Sequence, residues 1–426
     1  MTEKTISLRR QVLEARLFTV VNLSVFLLVA SVFAVSFYLR MGLSSEFAYI
    51  NLLFYVPLIF LAAKCGCRIG IGPLMLWLFL LSLFLVTERT AGSSFRDVAK
   101  FSFLYCLPLL VCQLRFGSSH DQRRALAKAI IRTSNAFVFL VFGILVLDCF
   151  TGSACMAAIS NAAMKEMSGW VSPEISSRHA SIWGHYLSTA GFYLVFYYMN
   201  IAYERIVGES LVNIKLLYVV ATLGILSTGG KTAIVIYLLS VIWLNTTSKD
   251  AIKNAIALSV FLGVLYFVGA FDVVLDRFGA SDLSSGRNGS VELVLSYETP
   301  RIFCGYGEGY TAHFTSFIDR GTVSMFSEYS LLTLAFKFGL VFAVGAAFLI
   351  LLPSIKTSVA TGNYSILFMG ILMLTYFSTF NGMANIPDVY HVMALFCLVL
   401  NLLGERTSKN DSVDSAVSDV IGPKGL

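Results

Sequence analysis

Apolar runs long enough to cross a lipid bilayer recur along this chain and constrain its fold more than any other feature. Each run holds about 17–25 residues, which as a helix spans a hydrocarbon core roughly 30 Å thick. Hydrophobic side chains make up 57% of the sequence and charged ones 13%, which excludes a soluble globular domain. The runs lack the alternation of apolar and polar residues that a membrane β-barrel requires. We therefore predict an all-α, polytopic membrane protein.

The runs predict about twelve transmembrane helices. Their approximate bounds are 18–39, 47–63, 69–87, 98–114, 129–149, 185–204, 211–227, 231–246, 252–271, 329–352, 363–381 and 388–404. We predict four regions along the chain. They are helices one to nine with a smaller loop at 150–184 (1–271), one large polar loop (272–328), helices ten to twelve (329–404) and a disordered polar tail (405–426).

Basic residues predict the orientation, because lysine and arginine are enriched in cytoplasmic loops. Arg9 and Arg10 precede the first run, and further lysines and arginines fall on alternate connections after it. This pattern places both termini in the cytoplasm and the loops 150–184 and 272–328 outside. The net charge of +6 is spread over many short turns, so it reflects topology and does not indicate nucleic-acid binding. The first run lacks a small-residue cleavage site and is interpreted as a retained anchor.

The eight cysteines form no recognisable disulfide or zinc framework. Cys155 and Cys304 both fall on the predicted outer side, and whether they pair stays open. The outer loops contain no Asp-x-Asp motif. We therefore expect no metal ion and no cofactor.

Cations on the outer side are the first candidates for a binding site, since they run against the orientation bias. Arg178 and His185 lie where the smaller outer loop enters the sixth helix. Lys231 follows two glycines at a helix N-terminus, where N–H groups and the helix dipole favour an anion. Each residue also has a simpler interpretation, as an interfacial anchor or as part of a plain hairpin turn.

The large loop carries arginines and tyrosines in glycine-rich surroundings. Arg287 follows Gly286, and Arg301 comes shortly before Phe303–Gly307, in which Tyr306 stands between two glycines. Guanidinium groups suit a pyrophosphate, and aromatic faces suit the CH groups of a pyranose. Each charge alone is typical of a solvated loop, whereas their clustering favours a binding site.

Ionisable residues also lie near the start of the tenth predicted helix. Glu328 comes just before it and Lys337 lies within it. Ionisable groups at membrane depth indicate function by default. Lys337 is either deep in the membrane or part of a short interfacial helix that breaks at Gly339, and the sequence leaves both alternatives open.

In their order along the chain, these motifs resemble the O-antigen polymerase and ligase superfamily of bacterial envelope polysaccharide assembly. The resemblance lies in Ser227–Lys231, Gly286-Arg287, Phe303–Gly307 and Lys337–Leu340, together with Arg178, Gly184 and His185. It implies a GT-C-like fold with about a dozen helices and one large periplasmic loop. Ligases of this superfamily carry a His-Asn pair where this chain has Ser327-Glu328, which favours a polymerase.

The resemblance implies a glycosyltransferase of the bacterial inner membrane that works without a metal. It would polymerise undecaprenyl-pyrophosphate-linked repeat units into O-antigen or a related surface polysaccharide. The substrate-binding residues would be Arg178, His185, Lys231, Arg287, Arg301 and Tyr306. Glu328 or His313 would activate the acceptor hydroxyl, and both stay open.

The expected partners are the lipid-linked oligosaccharide, membrane lipids, a flippase and a chain-length regulator, with no nucleic acid. Two alternative functions remain. One is an O-antigen ligase, and the other is a lipid-linked oligosaccharide flippase. A flippase is expected to line a central cavity with charges and to have pseudo-symmetric halves, whereas the charges here collect in one asymmetric outer loop.

Overall fold

Apolar segments form helices because a backbone in hydrocarbon has no water to satisfy its polar groups. The computed structural model describes residues 20–41, 48–117, 119–152, 154–155, 181–183, 185–246, 287–380, 383 and 386–404. Within them the helices are α1 (Val20–Phe33), α2 (Phe37–Met41), α3 (Leu52–Cys65), α4 (Ile71–Thr90), α5 (Phe95–Phe101), α6 (Leu107–Val111), α7 (His120–Thr151), α8 (Tyr186–Val207), α9 (Ile214–Ser227), α10 (Lys231–Thr246), α11 (Arg287–Tyr297), α12 (Tyr310–Thr315), α13 (Arg320–Phe326), α14 (Ser330–Phe338), α15 (Leu340–Thr361), α16 (Tyr364–Ser378) and α17 (Pro387–Leu403).

Shorter elements complete the described part of the chain. A π-helical turn, Ser102–Cys106, joins α5 to α6, and 3₁₀ turns lie at Ser181–Trp183 and Gly307–Gly309. The strands β1 (Cys67–Arg68) and β2 (Arg115–Phe116) pair antiparallel. This two-stranded ladder ties the α3–α4 connection to the α6–α7 connection.

The predicted apolar segments that fall within the described residues all coincide with a helix or with helices separated by a break. The predicted segment 252–271, most of the loop 150–184, the first part of the large loop and the tail 405–426 lie outside those residues. Among the described residues, three helices, α4, α7 and α15, are long and apolar enough to cross a membrane. α1, α3, α9, α16 and α17 are apolar but shorter, as is Lys231–Leu244 within α10. The structure is therefore mostly helical, and the number of about twelve spans stays a prediction.

α8 and α17 form the centre of the helix bundle. Every residue from Ser188 to Tyr203 and from Pro387 to Leu403 is buried, and α7, α15 and α16 pack around them. The outer helices expose large apolar side chains instead, including Phe60, Met75, Leu147 and Val344. An apolar surface of this kind suits contact with lipid.

The first predicted span, 18–39, is interrupted between α1 and α2, and a buried ion pair holds the break. The Arg40 guanidinium donates to the carbonyls of Val35 (2.5 Å) and Ala48 (3.1 Å) and to the Asp388 carboxylate (2.5 Å). The Phe37 amide donates to the other oxygen of Asp388. Backbone groups that the helix break leaves without intrahelical partners are thus satisfied by side chains.

The tenth predicted span, 329–352, is interrupted at Gly339, whose φ is +98°. The short helix α14 ends there and α15 begins with the next residue. Of the two alternatives for Lys337, the structure therefore shows the short helix broken at Gly339. Lys337 lies in the last turn of that helix.

Candidate functional site

The described part of the large loop folds into short helices around its own core. Apolar side chains from α11 to α14 form it, namely Val294, Tyr310, Phe314, Ile318, Val323, Phe326 and Phe336. Asp319 caps α13 and accepts hydrogen bonds from the Thr322 amide (2.9 Å) and hydroxyl (2.5 Å). The hydroxyl and amide hydrogen bonds lower the pKa of Asp319. The segment that composition marks as a polar loop is therefore, over its described residues, a small helical subdomain.

The segment that follows α11 fills the break between α14 and α15. Helix ends leave backbone N–H and C=O groups without intrahelical partners. Here the Leu340 amide donates to the Arg301 carbonyl (2.9 Å), and the Tyr306 amide donates to the Phe336 carbonyl (2.9 Å). These hydrogen bonds fix Arg301 and Tyr306 relative to the bundle.

Two glycines allow this close approach. A Cβ atom on Gly305 would fall on the carbonyl oxygens of Phe336 and Lys337, and a Cβ atom on Gly339 would stand 2.5 Å from the Phe303 carbonyl oxygen. Neither site accepts a side chain without movement of the backbone. The glycine-rich pattern around Tyr306 therefore has a packing explanation.

Four side chains of this region form what we call the stacked cluster: Glu298, Arg301, Tyr306 and His313. The Arg301 guanidinium lies 4.2 Å from the centre of the Tyr306 ring, and the His313 ring stacks on Tyr306 at 4.2 Å and 16°. Glu298 accepts the Tyr306 hydroxyl and lies 2.8 Å from His313 Nε2. Because an ionised carboxylate only accepts, Nε2 is assigned as the donor.

The stacked cluster is open to ligands. The side chains of His313 and Glu298 are 38% and 32% exposed, and Arg301 is exposed. In the part of the chain that the structure describes, no carboxylate forms an ion pair with Arg301. A guanidinium, an imidazole and a carboxylate held together by one tyrosine can form hydrogen bonds with the hydroxyls of a sugar ring.

An ion pair stands at the other end of α11. Arg287 is the first residue of that helix, and its Nε contacts the carboxylate of Glu328, which lies just before α14. Beside the pair, the Tyr329 hydroxyl donates to Asn288 Oδ1 (2.6 Å). The two charged side chains keep 26% and 32% of their surface exposed, so an anion can reach Arg287.

An apolar groove of about 350 Å³ begins beside this ion pair. It lies between α14 and α16, and its lining includes Tyr329, Leu331, Leu332 and Leu374. Tyr329 lines the groove and its hydroxyl donates to Asn288, the residue after Arg287, so the groove lies near the start of α11. The arrangement offers one ionic and one apolar binding surface side by side.

His185 lies close to this end of the subdomain. Its ring is parallel to that of Phe380, with centres 6.3 Å apart at 17°. The Phe380 carbonyl accepts the hydroxyl of Ser330 (2.5 Å), which is two residues beyond Glu328. Two contacts, followed by two residues of backbone, thus link His185 to Glu328.

The turn that carries Lys231 packs against the start of the same helix as His185. A Cβ atom on Gly230 would stand 3.4 Å from Leu187 Cδ2, and the Leu187 carbonyl accepts the Tyr376 hydroxyl (2.5 Å). Lys231 is half-buried at the first position of α10. The turn and His185 therefore occupy one end of the bundle.

The predicted site residues fall into two groups at opposite ends of α11. The helix has 11 residues, and its rise of about 1.5 Å per residue places the Cα atoms of Arg287 and Glu298 about 16 Å apart. Arg287 and Glu328 are brought together, and His185 and the turn that carries Lys231 lie toward the same end. The other three, Arg301, Tyr306 and His313, are brought together in the stacked cluster.

The structure thus places Arg287 at the start of α11 and Arg301 after its end, and binding of one pyrophosphate by both arginines stays a prediction. Arg178 lies outside the described residues. Cys155 and Cys304 are both free thiols. Among the described residues, no group of three or more His, Cys, Asp or Glu side chains could hold a metal ion.

Two acids have roles that sequence reasoning missed. Glu298 holds Tyr306 and His313, and Glu308 forms an ion pair with Lys337 (2.9 Å). In the sequence both resemble solvated loop acids, because their partners lie on other turns of the chain. The position of Lys337 in an apolar segment could have predicted a carboxylate partner, because a buried ammonium requires a counterion.

Comparison with known proteins gives no relative for this arrangement: no protein-family model, no curated protein and no solved structure matches the chain significantly.

Proposed function

We propose that this protein is a polysaccharide polymerase of the bacterial inner membrane. On this proposal the chain crosses the membrane about twelve times in a GT-C-like arrangement, with both termini in the cytoplasm and the subdomain of α11–α14 in the periplasm. It transfers a growing glycan from undecaprenyl pyrophosphate to the sugar of another lipid-linked repeat unit. The observation that carries the proposal is the Arg287–Glu328 ion pair beside an apolar groove.

A lipid-linked pyrophosphate combines an apolar chain with a compact anion, and this end of the molecule has a surface for each. The groove beside Tyr329 suits part of an isoprenoid chain. Arg287 suits the pyrophosphate, because a guanidinium binds phosphate oxygens bidentately. Lys231 and His185 lie toward the same end.

Glu328 is the base in this proposal, because it is the carboxylate next to the donor site. When a pyrophosphate binds Arg287, it competes with Glu328 for the guanidinium and leaves the carboxylate able to accept a proton. The acceptor hydroxyl oxygen then forms a bond to the anomeric carbon of the donor sugar, and its proton moves to Glu328. The bond from that carbon to the pyrophosphate oxygen breaks, and the electron pair leaves with the lipid pyrophosphate, whose charge the cations stabilise.

The stacked cluster binds glycan in this scheme and takes no part in the bond-forming step. It lies about 16 Å from Arg287 along α11, too far for His313 to reach a proton at the donor site. Arg301, Glu298 and His313, which contact the Tyr306 side chain from different sides, offer hydrogen-bond donors and acceptors to the hydroxyls of a pyranose. This division supports Glu328 over His313 as the base.

The test is complementation of a deletion strain with the wild-type gene and with Glu328→Gln, with glycan length read on a gel. The wild type is expected to restore a ladder and Glu328→Gln to give single repeats. Glu292→Gln is the matched control, because Glu292 is an exposed glutamate of α11. A ladder from Glu328→Gln removes the proposed base. If the deletion strain accumulates long lipid-linked glycan in its inner membrane but has none on its surface, the result supports the ligase. If lipid-linked repeat units are missing from the periplasmic leaflet of that membrane, the result supports the flippase.

A further inference from the structure

Lys337 lies outside the proposed donor site and is nevertheless fully surrounded by protein. Its side chain is 1% exposed, in the last turn of α14. Its ammonium donates to both carboxylate oxygens of Glu308 (2.9 and 3.0 Å) and to the hydroxyl of Tyr105 (2.9 Å). Because a buried ammonium without a counterion is strongly unfavourable, Glu308 is held at this place.

Glu308 is held from a second direction by a different helix. Its backbone amide donates to Glu88 Oε1 (3.1 Å), and Glu88 is fully buried near the end of α4. The Ser93 hydroxyl donates to the other oxygen of Glu88. The Tyr105 hydroxyl also donates to Glu308 Oε1 (2.7 Å). One loop residue is thereby tied to α4, to the π-helical turn and to α14.

Glu308 lies two residues after Tyr306, whose ring is at the centre of the stacked cluster. Tyr306 precedes Gly307 and Glu308, and a Cβ atom on Gly307 would stand 2.8 Å from the Ala91 Cβ and 3.0 Å from Glu88 Oε1. The loop therefore sits directly on the end of α4. Release of Glu308 would remove one of two attachments of this backbone and leave the hydrogen bond from the Tyr306 amide to the Phe336 carbonyl as the other.

We propose that Lys337, Glu308 and Tyr105 form a latch that positions Tyr306, and with it the stacked cluster, on the helix bundle. Lys337 is too deeply buried to touch a glycan, so these residues position Tyr306 and are not catalytic. For its kinetic consequence the inference rests on the proposed function. The position of the loop itself can be measured without any glycan.

The experiment uses Cys304, a half-buried natural thiol in the latched segment, as a reporter. Full-length protein in detergent is treated with a maleimide, and alkylation of each cysteine is followed by mass spectrometry. Lys337→Met is expected to accelerate alkylation of Cys304 by at least about tenfold, because the latch no longer opposes local opening. The exposed thiol of Cys67 is the internal reference and should not change.

Three further variants guard against misfolding and nonspecific effects. Glu308→Gln combined with Lys337→Met removes both charges of the ion pair and leaves Glu88 its hydrogen bonds from Ser93 and from the backbone amide of residue 308, so it is expected to fold and still expose Cys304. Lys64→Met is the matched control, because Lys64 is an exposed lysine in the last turn of α3. Exchange of the charges, Glu308→Lys with Lys337→Glu, is expected to bring alkylation of Cys304 back toward the wild-type rate.

The kinetic arm measures polymerisation with purified protein and lipid-linked repeat units. Folded latch variants are expected to raise the KM for acceptor glycan about tenfold and to change kcat less, because they affect binding. Unchanged alkylation of Cys304 in the folded double variant overturns the latch. Faster alkylation with unchanged KM overturns the positioning role. A wild-type protein without polymerase activity overturns the proposed function, and alkylation of Cys304 still decides the latch.

Discussion

Arg287 begins α11 and Glu298 directly follows its last residue, so one short helix holds two charged groups about 16 Å apart. Arg287 pairs with Glu328 beside an apolar groove, and Glu298 supports the rings of Tyr306 and His313. The helix therefore separates a surface suited to a lipid anion from a surface suited to sugar. Exchange of Arg287 with Glu328 tests the first surface, and removal of the Tyr306 ring tests the second.

Exchange of Arg287 and Glu328 should show whether their ion pair serves catalysis or only the stability of the fold. Arg287→Glu with Glu328→Arg can restore the ion pair, and a pair this exposed contributes about 1 kcal/mol or less to stability. We expect normal thermal stability but loss of activity by about 10²-fold or more, because the base and the anion site have changed places. Polymer length and the melting temperature in detergent check this. Activity near that of the wild type in the exchanged protein would mean that the pair is only structural.

Removal of the Tyr306 ring should weaken glycan binding. The contacts by which the Tyr306 ring holds Arg301 and His313 are worth on the order of 1 kcal/mol, so Tyr306→Ala is expected to raise the Kd for a soluble repeat-unit oligosaccharide by about five- to tenfold. Tyr306→Phe keeps the ring and loses only the hydrogen bond to Glu298, so its effect should be smaller. Titration followed by NMR or calorimetry measures both. Tyr364→Ala, at an exposed tyrosine of α16, is the control, and an equal effect there would contradict the assignment.

Hydropathy located the helices but not their breaks. A run of apolar residues indicates a helix because only internal hydrogen bonds satisfy a backbone in lipid. The segment 18–39 reads as one span, yet Arg40 stabilises a break by pairing with Asp388 from the far end of the chain. Such a contact cannot be read from local periodicity. At Gly339 the sequence does indicate a possible helix break, because this glycine lies two residues after Lys337 within an apolar segment. That pattern left both alternatives for Lys337 open.

The site was predictable as a list of residues and not as an arrangement. Arginines and a tyrosine in a glycine-rich loop indicated anion and sugar binding, and Arg287 and Glu328 do meet. The separation of Arg287 from Arg301 follows from the formation of α11, which begins within a segment that composition marks as a loop. Glu298 carried no signal, because a glutamate after a helix is most often solvated.

Acid should loosen the subdomain through Asp319. Hydrogen bonds from Thr322 lower its pKa in the folded state, and the unfolded value is about 3.9. A lowered folded pKa contributes stability that is present above the unfolded value and is lost as the pH falls through the folded one. Asp319→Asn keeps an acceptor for the Thr322 amide and does not titrate. Hydrogen exchange of residues 320–326 between about pH 6 and pH 3 should show acid-dependent loss of protection in the wild type only. The same pH dependence in both proteins would rule out Asp319 as the cause.

The buried Arg40–Asp388 pair should be essential for the fold of the first helices. Arg40→Met leaves a buried carboxylate without its cation, and loss of one partner of such a pair destabilises a protein by about 3–5 kcal/mol. Arg40→Met with Asp388→Asn removes both charges and keeps an acceptor for the Phe37 amide, so it should recover most of this loss. Thermal unfolding in detergent and the yield of inserted protein measure the effect. Arg89→Met, at an exposed arginine of α4, should leave both unchanged. If Arg40→Met alone were as stable as the wild type, the break between α1 and α2 would have to be held by the carbonyl contacts and not by the ion pair.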